Sequence, residues 1–192
     1  MTTEDPDDRA LWSQAAGGGP RAFGVLFDRH AKAVYNHCFR LTASWAEAED
    51  HLQATFLLAW RKRGEVRLER ESALPWLLTV ATNVVRNDQR SVLRRLRNLR
   101  RVGEERAVPD HADQVAERLD DQRRMKELLG AVAKLPRNER EALALCVWSE
   151  VSYADAAAVL GITEGSVRAR VSKAKSRLQQ QHRELVHTGE DR

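Results

Sequence analysis

The chain has few of the residues that build covalent or metal-held frameworks. Two cysteines, Cys38 and Cys146, stand far apart among 192 residues, and neither belongs to a Cys-x-x-Cys pair. A disulfide framework is thereby disfavoured and a reducing compartment indicated, with both thiols expected to serve as small core residues. His30, His37 and Cys38 lie near one another in sequence, but not at a ligand spacing, so no metal or cofactor is expected. Also missing are an apolar run long enough to cross a membrane and, at the N-terminus, a basic segment followed by an apolar one. A soluble, cytoplasmic protein without membrane insertion is expected. Only five prolines and few β-branched runs interrupt the helical periodicity, so no sheet is expected. The acids fall on solvent faces or in a charged tether rather than in a cluster with histidines, and no enzyme chemistry is read from them.

What the chain does have is segregated charge. The formal net charge is only +4. Between Arg86 and Arg101, however, stand seven arginines against one acid, Asp88, and between Arg168 and Arg177 five cations against none. Acids gather instead at Glu4 to Asp8 and at Glu47 to Asp50. This separation points to a polyanion bound at two places and a different partner elsewhere.

The chain reads as all-α: two small helical domains joined by a flexible charged linker. Residues 1–20 form an acidic, glycine-rich stretch expected to be a disordered tail. An N-terminal helical domain is expected over 21–96. The linker, 97–123, is rich in charge, lacks aromatic residues and contains Pro109. A C-terminal helical domain follows over 124–186, and 187–192 form a short tail.

In "SYADAAAVLGITEGSVRARVSKAKSRL" two helices meet at a tight turn. Ser152 with Asp155 starts the first like a capping box, Gly161 supplies the positive φ of a sharp stop, and Thr163 caps the second. At about 100° per residue, Val167, Val171, Ala174 and Leu178 form a buried stripe. The opposite side presents Ser172, Lys173 and Ser176, edged by Arg168 and Lys175 on one flank and by Arg170 and Arg177 on the other. Small polar residues between cationic edges suit a helix lying in a major groove, with phosphates at its edges and bases at its centre. The pattern is that of a helix-turn-helix. A helix lying on an anionic membrane would need a bulkier apolar face than Val, Ala and a single Leu.

Two faces stand out in the N-terminal half. In "WAEAEDHLQATFLLAWRKR", Ala48, Leu52, Phe56 and Ala59 share the inward stripe, whereas Leu57 lies among Asp50, Ala54 and Arg61. Leu57 either marks a protein contact or is covered by another helix of the bundle. In "LPWLLTVATNVVRNDQR", the face opposite Trp76, Leu77, Val80, Ala81, Val84 and Val85 carries Thr79, Thr82, Asn83, Arg86, Asn87 and Arg90. Its hydroxyl, amide and guanidinium groups can hydrogen-bond bases and phosphates together. Trp60 and Trp76, beside apolar stripes, are expected in the core rather than in a base-stacking row.

"LPRNEREALAL", followed by the helix-turn-helix segment, resembles the promoter-binding C-terminal domain of extracytoplasmic-function sigma factors of bacterial RNA polymerase. "AEDHLQATFLLAW" resembles the polymerase-binding helix of the same family, departing from its usual pattern at His51 and Ala54. The two motifs occur in the family's order. The resemblance implies that core RNA polymerase is held through its β′ clamp by Glu49, Asp50, Gln53 and Leu57, and also through its β flap. It implies that Ser166, Arg168, Arg170, Ser172, Lys173 and Arg177 meet a −35 element of promoter DNA. It further implies that Thr79, Thr82, Asn83, Arg86, Asn87 and Arg90 meet a −10 element and aid melting, with a loop over roughly Arg63 to Leu74 holding a flipped base. An anti-sigma factor is an implied partner. The alternative, a helix-turn-helix regulator acting on duplex DNA alone, leaves Trp45 to Arg63 without a role.

Overall fold

The computed structural model describes residues 6–68, 70–102 and 129–190, and of residues 95–102, 182 and 184–190 the backbone only. All regular structure among them is helical. In chain order come α1 (Asp8–Ala16), α2 (Pro20–Thr42), α3 (Trp45–Lys62) and α4 (Leu74–Val102). After the undescribed stretch come α5, described over 129–133, α6 (Arg137–Leu143), a π turn (Ala144–Trp148), α7 (Tyr153–Leu160) and α8 (Glu164–Glu190).

The first helix corrects the expectation of a disordered tail over 1–20 for Asp8–Ala16, while residues 1–5 of that stretch lie outside the described residues. Asp7 caps α1 by accepting from the Ala10 amide at 2.7 Å, and Leu11, Trp12 and Ala15 bury its inner face. Spacing i, i+1, i+4 is enough to make a nine-residue helix amphipathic when another surface waits for it. That surface is α2, which starts on Pro20, where a missing amide proton removes no helical bond. Ser44 caps α3 by accepting from the Glu47 amide at 3.3 Å. The fourth helix runs past the expected boundary at residue 96, and the rest of the expected linker, 103–123, lies outside the described residues. Likewise α8 continues through residues 187–190, which were expected as tail.

Helices α2, α3 and α4 pack mutually around Leu26, Val34, Cys38, Ala48, Phe56, Ala59, Leu77, Leu78, Ala81 and Val85. Each fully buried Leu or Phe among them contributes about 1.5–3 kcal/mol. Burial pushes the Cys38 thiol up to about 12, so this cysteine is an inert core residue.

In the second half Pro136 opens α6, and the π turn is closed by the Ser149 amide reaching back to the Ala144 carbonyl at 3.1 Å. Ser152 accepts from the Asp155 amide at 3.1 Å while its hydroxyl donates to that residue's carboxylate at 2.6 Å. Gly161, at φ 68°, ends α7 in the left-handed region, and Thr163 accepts from the Ser166 amide at 3.3 Å to start α8. Val167, Val171 and Ala174 are buried and Leu178 half-buried, as the stripe requires.

The apolar core is continuous between the halves. Helix α7 packs on α4 and the π turn on α2. Three arginines of the first half reach acceptors of the second. Arg86 meets Glu141, Arg70 meets Asp155 at 2.5 Å, and Arg40 donates to the Trp148 carbonyl at 3.0 Å while lying over its ring.

Candidate nucleic-acid interface

On α8 the candidate groove-reading residues Ser166, Arg168, Ser172, Lys173 and Arg177 are exposed and Arg170 is half-buried. Two of the cations are engaged within the chain. Arg168 pairs with Glu164 at 2.8 Å and lies 4.8 Å from the centre of the Tyr153 ring. Arg177 pairs with the buried carboxylate of Glu139 on α6 at 3.0 Å. Among the described residues Lys173 makes no recorded ion pair.

The candidate face of α4 divides into three parts. Asn83, Asn87 and Arg90 are exposed, and half-buried Thr79 returns its hydroxyl to the Pro75 carbonyl at 2.9 Å. Arg86 is turned toward the second half, its guanidinium bound at two points to Glu141 at 2.9 and 2.6 Å. Thr82 does not belong to this face, which corrects the sequence reading. It is 1% exposed, donates to the Leu78 carbonyl at 2.8 Å and accepts from His37 Nε2 at 2.9 Å. The inward stripe runs Leu77, Leu78, Ala81, Thr82 and Val85, and the hydroxyl at its centre is tolerated because His37 satisfies it.

Glu141 is the electrostatic centre of the junction. Burial alone would raise its carboxyl, but Arg86 and Arg137 outweigh burial and hold it below the usual carboxylate range. Glu139 and Glu141, two positions apart, thus hold one cation from each candidate DNA-reading helix. Sequence reasoning missed this, because a pairing 55 residues apart leaves no local pattern.

On α3, Glu49, Asp50, Gln53 and Leu57 all lie outward, and Leu57 is 50% exposed. The alternative of Leu57 covered by another helix of the bundle is thereby removed. His51 points the other way, buried against α4 at 3.6 Å from Asp88. It is therefore part of the packing between α3 and α4 and not of the outward face.

Between the halves lies a cavity of about 410 Å³ bordered by Arg67, Arg70, Trp76 and Thr79 from one side and by Asp155 and Val159 from the other. It adjoins the loop between α3 and α4, which only the family resemblance implies as a base-holding loop.

Comparison with known proteins matches two regions of the chain to family models. Residues 26–101 match the model of Sigma-70 region 2, and residues 125–178 that of Sigma-70 region 4. The ECF RNA polymerase sigma factor SigL of Mycobacterium tuberculosis is 31% identical over 169 residues, spanning 84% of this chain and 89% of that one. The chain belongs to the extracytoplasmic-function sigma factors. Its fold matches CnrH in complex with the cytosolic domain of CnrY at a TM-score of 0.67 and 26% identity, over 90% of this chain and 94% of that one. It also matches the sigma factor RpoE in complex with the anti-sigma factor NepR from Bartonella quintana, at 0.65 and 28%, over 82% of this chain and 94% of that one. The sigma factor directs promoter-specific initiation by RNA polymerase. Of its helices, none among the described residues is long and apolar enough to cross a membrane.

Proposed function

We propose that this sigma factor acts in the cytoplasm, without chemistry of its own, through three separate surfaces. The outward face of α3, with Glu49, Asp50, Gln53 and Leu57, holds the polymerase clamp, while α8 enters the major groove of the −35 element. Asn83, Asn87, Arg90 and, once released, Arg86 receive the displaced strand of the −10 element. The observation that carries this reading is the exposure of Leu57 beside three polar or acidic neighbours on a helix whose opposite side is fully packed. A stand-alone DNA regulator needs no such face.

In this arrangement Glu141 and Glu139 occupy cations that DNA phosphates claim on the promoter, so binding exchanges carboxylates for phosphates. Separation of the halves uncovers Arg86, and the same separation opens a surface for an anti-sigma factor, the kind of partner with which the similar sigma factor RpoE is in complex. Run-off transcription with purified core polymerase tests the reading. Promoter-specific transcripts are expected only when chain and core are both present, and specific binding of the chain alone to a full promoter at physiological salt, without association with core, overturns it.

A further inference from the structure

We infer that α1 is the frame that shapes the loop between α3 and α4, making Asp8 and Trp12 positioning residues for the bases this loop meets. The inference rests on the reading that the loop and α4 receive the displaced −10 strand.

Helix α1 holds the loop at three successive points. Arg63, lying 3.6 Å over the Trp60 ring, donates through Nε to the Ala15 carbonyl at 2.9 Å. Three residues on, the Val66 carbonyl accepts from Trp12 Nε1 at 3.0 Å. At the far end Asp8 Oδ2 accepts from the Ala73 amide at 2.8 Å and from the Ser72 hydroxyl at 3.3 Å. Pinned at Val66 and Ser72, the loop carries Arg67, Leu68 and Arg70 along the wall of the 410 Å³ cavity.

Neither residue is explained by the needs of α1 alone. Asp7, not Asp8, caps the helix. Asp8 is buried, and its carboxylate is fixed from behind by Arg29 at 3.0 Å and His30 at 2.6 Å. Burial would raise this carboxyl, but the Ala73 amide, Arg29 and His30 together hold it below its ordinary value. An ionised carboxylate so placed has little freedom, and the loop end bound to it inherits that rigidity. Trp12 is locked in the same way, its ring edge-on to Trp76 at 4.9 Å, and Trp76 is itself a wall of the cavity. Reading a splayed base needs donors and acceptors fixed to within a fraction of an ångström, and a loop without regular structure obtains this only from outside.

The test uses holoenzyme built on the full chain and promoters carrying each of the four bases at successive −10 positions. Asp8→Ala and Trp12→Phe, the latter keeping a ring against Trp76 while deleting the N–H, are compared with Asp8→Asn, which retains an acceptor for Ala73. Preference for the favoured base at one −10 position should fall from about tenfold toward one in Asp8→Ala and Trp12→Phe, and less in Asp8→Asn. Affinity for core polymerase should stay within about twofold, and amides 68 and 70–72 should exchange hydrogen faster. A purely structural role lowers transcription from every promoter by one common factor and leaves the preference intact; that result overturns the inference. Arg67→Ala in the loop separates the two layers. If it alters preference and the α1 variants do not, the frame is wrong and the loop reading stands. Preference unmoved in every variant means that the loop meets no base, and both fall. Should Asp8→Ala fail to fold, Trp12→Phe decides by the same readouts.

Discussion

Arg86 and Glu141 form a two-point ion pair across the junction of the two halves, Nε to Oε1 at 2.9 Å and Nη2 to Oε2 at 2.6 Å. The carboxylate is buried and the guanidinium largely so, which shields the pair from salt and makes loss of either member costly. Glu141→Gln keeps the volume and one acceptor but removes the charge. The closed packing should weaken by about 1–3 kcal/mol. A fluorophore pair across the halves should then report a longer mean distance, and holoenzyme should assemble faster. An unchanged distance distribution would show that the apolar contacts, not this pair, hold the closure.

Because the Glu141 carboxyl is held below its ordinary value when folded, its contribution is full above the ordinary carboxylate range and is lost as pH falls through the depressed value. Closure in the native sequence should therefore loosen only in strong acid, whereas Glu141→Gln should show its weaker closure at every pH, as the same fluorophore pair would record.

The outward face of α3 gives a cleaner separation of fold from function. Leu57 is half exposed and Asp50 is exposed, hence Leu57→Asp and Asp50→Arg remove little buried area. Stability should move by no more than about 0.5 kcal/mol, while affinity for core polymerase falls by about 2 kcal/mol or more if these residues are anchors. Normal holoenzyme assembly in both variants would place the clamp contact elsewhere. The −35 binding should be unaffected, since α8 lies on the other half.

On α8, Lys173 is exposed and makes no ion pair among the described residues, but Arg168 is drawn toward Glu164 and Tyr153. Lys173→Ala should cost about 1–3 kcal/mol if it meets a base edge, or lower the salt dependence by about one unit if it meets a phosphate. Arg168→Ala should cost less, because its native partners compete with DNA. Titrations at several salt concentrations distinguish these cases.

Much of this was legible in the sequence because its causes are local. The caps at Ser152 and Thr163, the left-handed Gly161, the stripe of Val167, Val171 and Ala174, and the inward set of Ala48, Phe56 and Ala59 all follow from spacing within one helix. What escaped depended on a second element. The acids of the N-terminal stretch suggested a solvated tail, yet Asp8 is buried by ligands from α2 and from the start of α4. Thr82 was placed with Asn83 and Asn87 because a helical wheel cannot tell a polar residue facing solvent from one facing a buried histidine on another helix. The Arg86–Glu141 pair depends on how the halves meet, which no local period encodes.

Asn83 and Asn87 remain exposed on α4, and their role differs from that of Thr82 in a measurable way. The combined change Asn83→Ala and Asn87→Ala should leave promoter occupancy intact but weaken permanganate reactivity of −10 thymines, because contacts to the separated strand offset the cost of unpairing. A pre-melted bubble should restore activity. Thr82→Val should instead destabilise the fold by about 1–3 kcal/mol through an unsatisfied His37, with no rescue by a bubble. Normal opening by the double variant would leave the amides as a solvated surface.

His37 makes the fold sensitive to acid at one buried point. It is fully buried, accepted at Nε2 by Thr82, and its Nδ1 has no hydrogen-bond partner among the described residues. Burial, reinforced by the charge of Arg40 and only partly opposed by Glu141, pushes its pKa down to about 4. An unfolded histidine titrates near 6.5, so between these values the unfolded chain binds a proton that the folded one refuses. Stability should be flat above about pH 7 and decline as pH falls from about 6.5 toward 4, with a total loss of about 3 kcal/mol from this group. The depressed carboxyls of Asp8 and Glu141 act only at the acid end of that range, so the interval from about pH 5 to 6.5 separates the histidine from these carboxyls. Replacing both partners, His37→Leu with Thr82→Val, leaves no buried group unpaired and should abolish the slope in that interval in urea titrations at stepped pH. If the slope survives the double change, a different histidine governs the acid response and the buried pair is electrostatically silent.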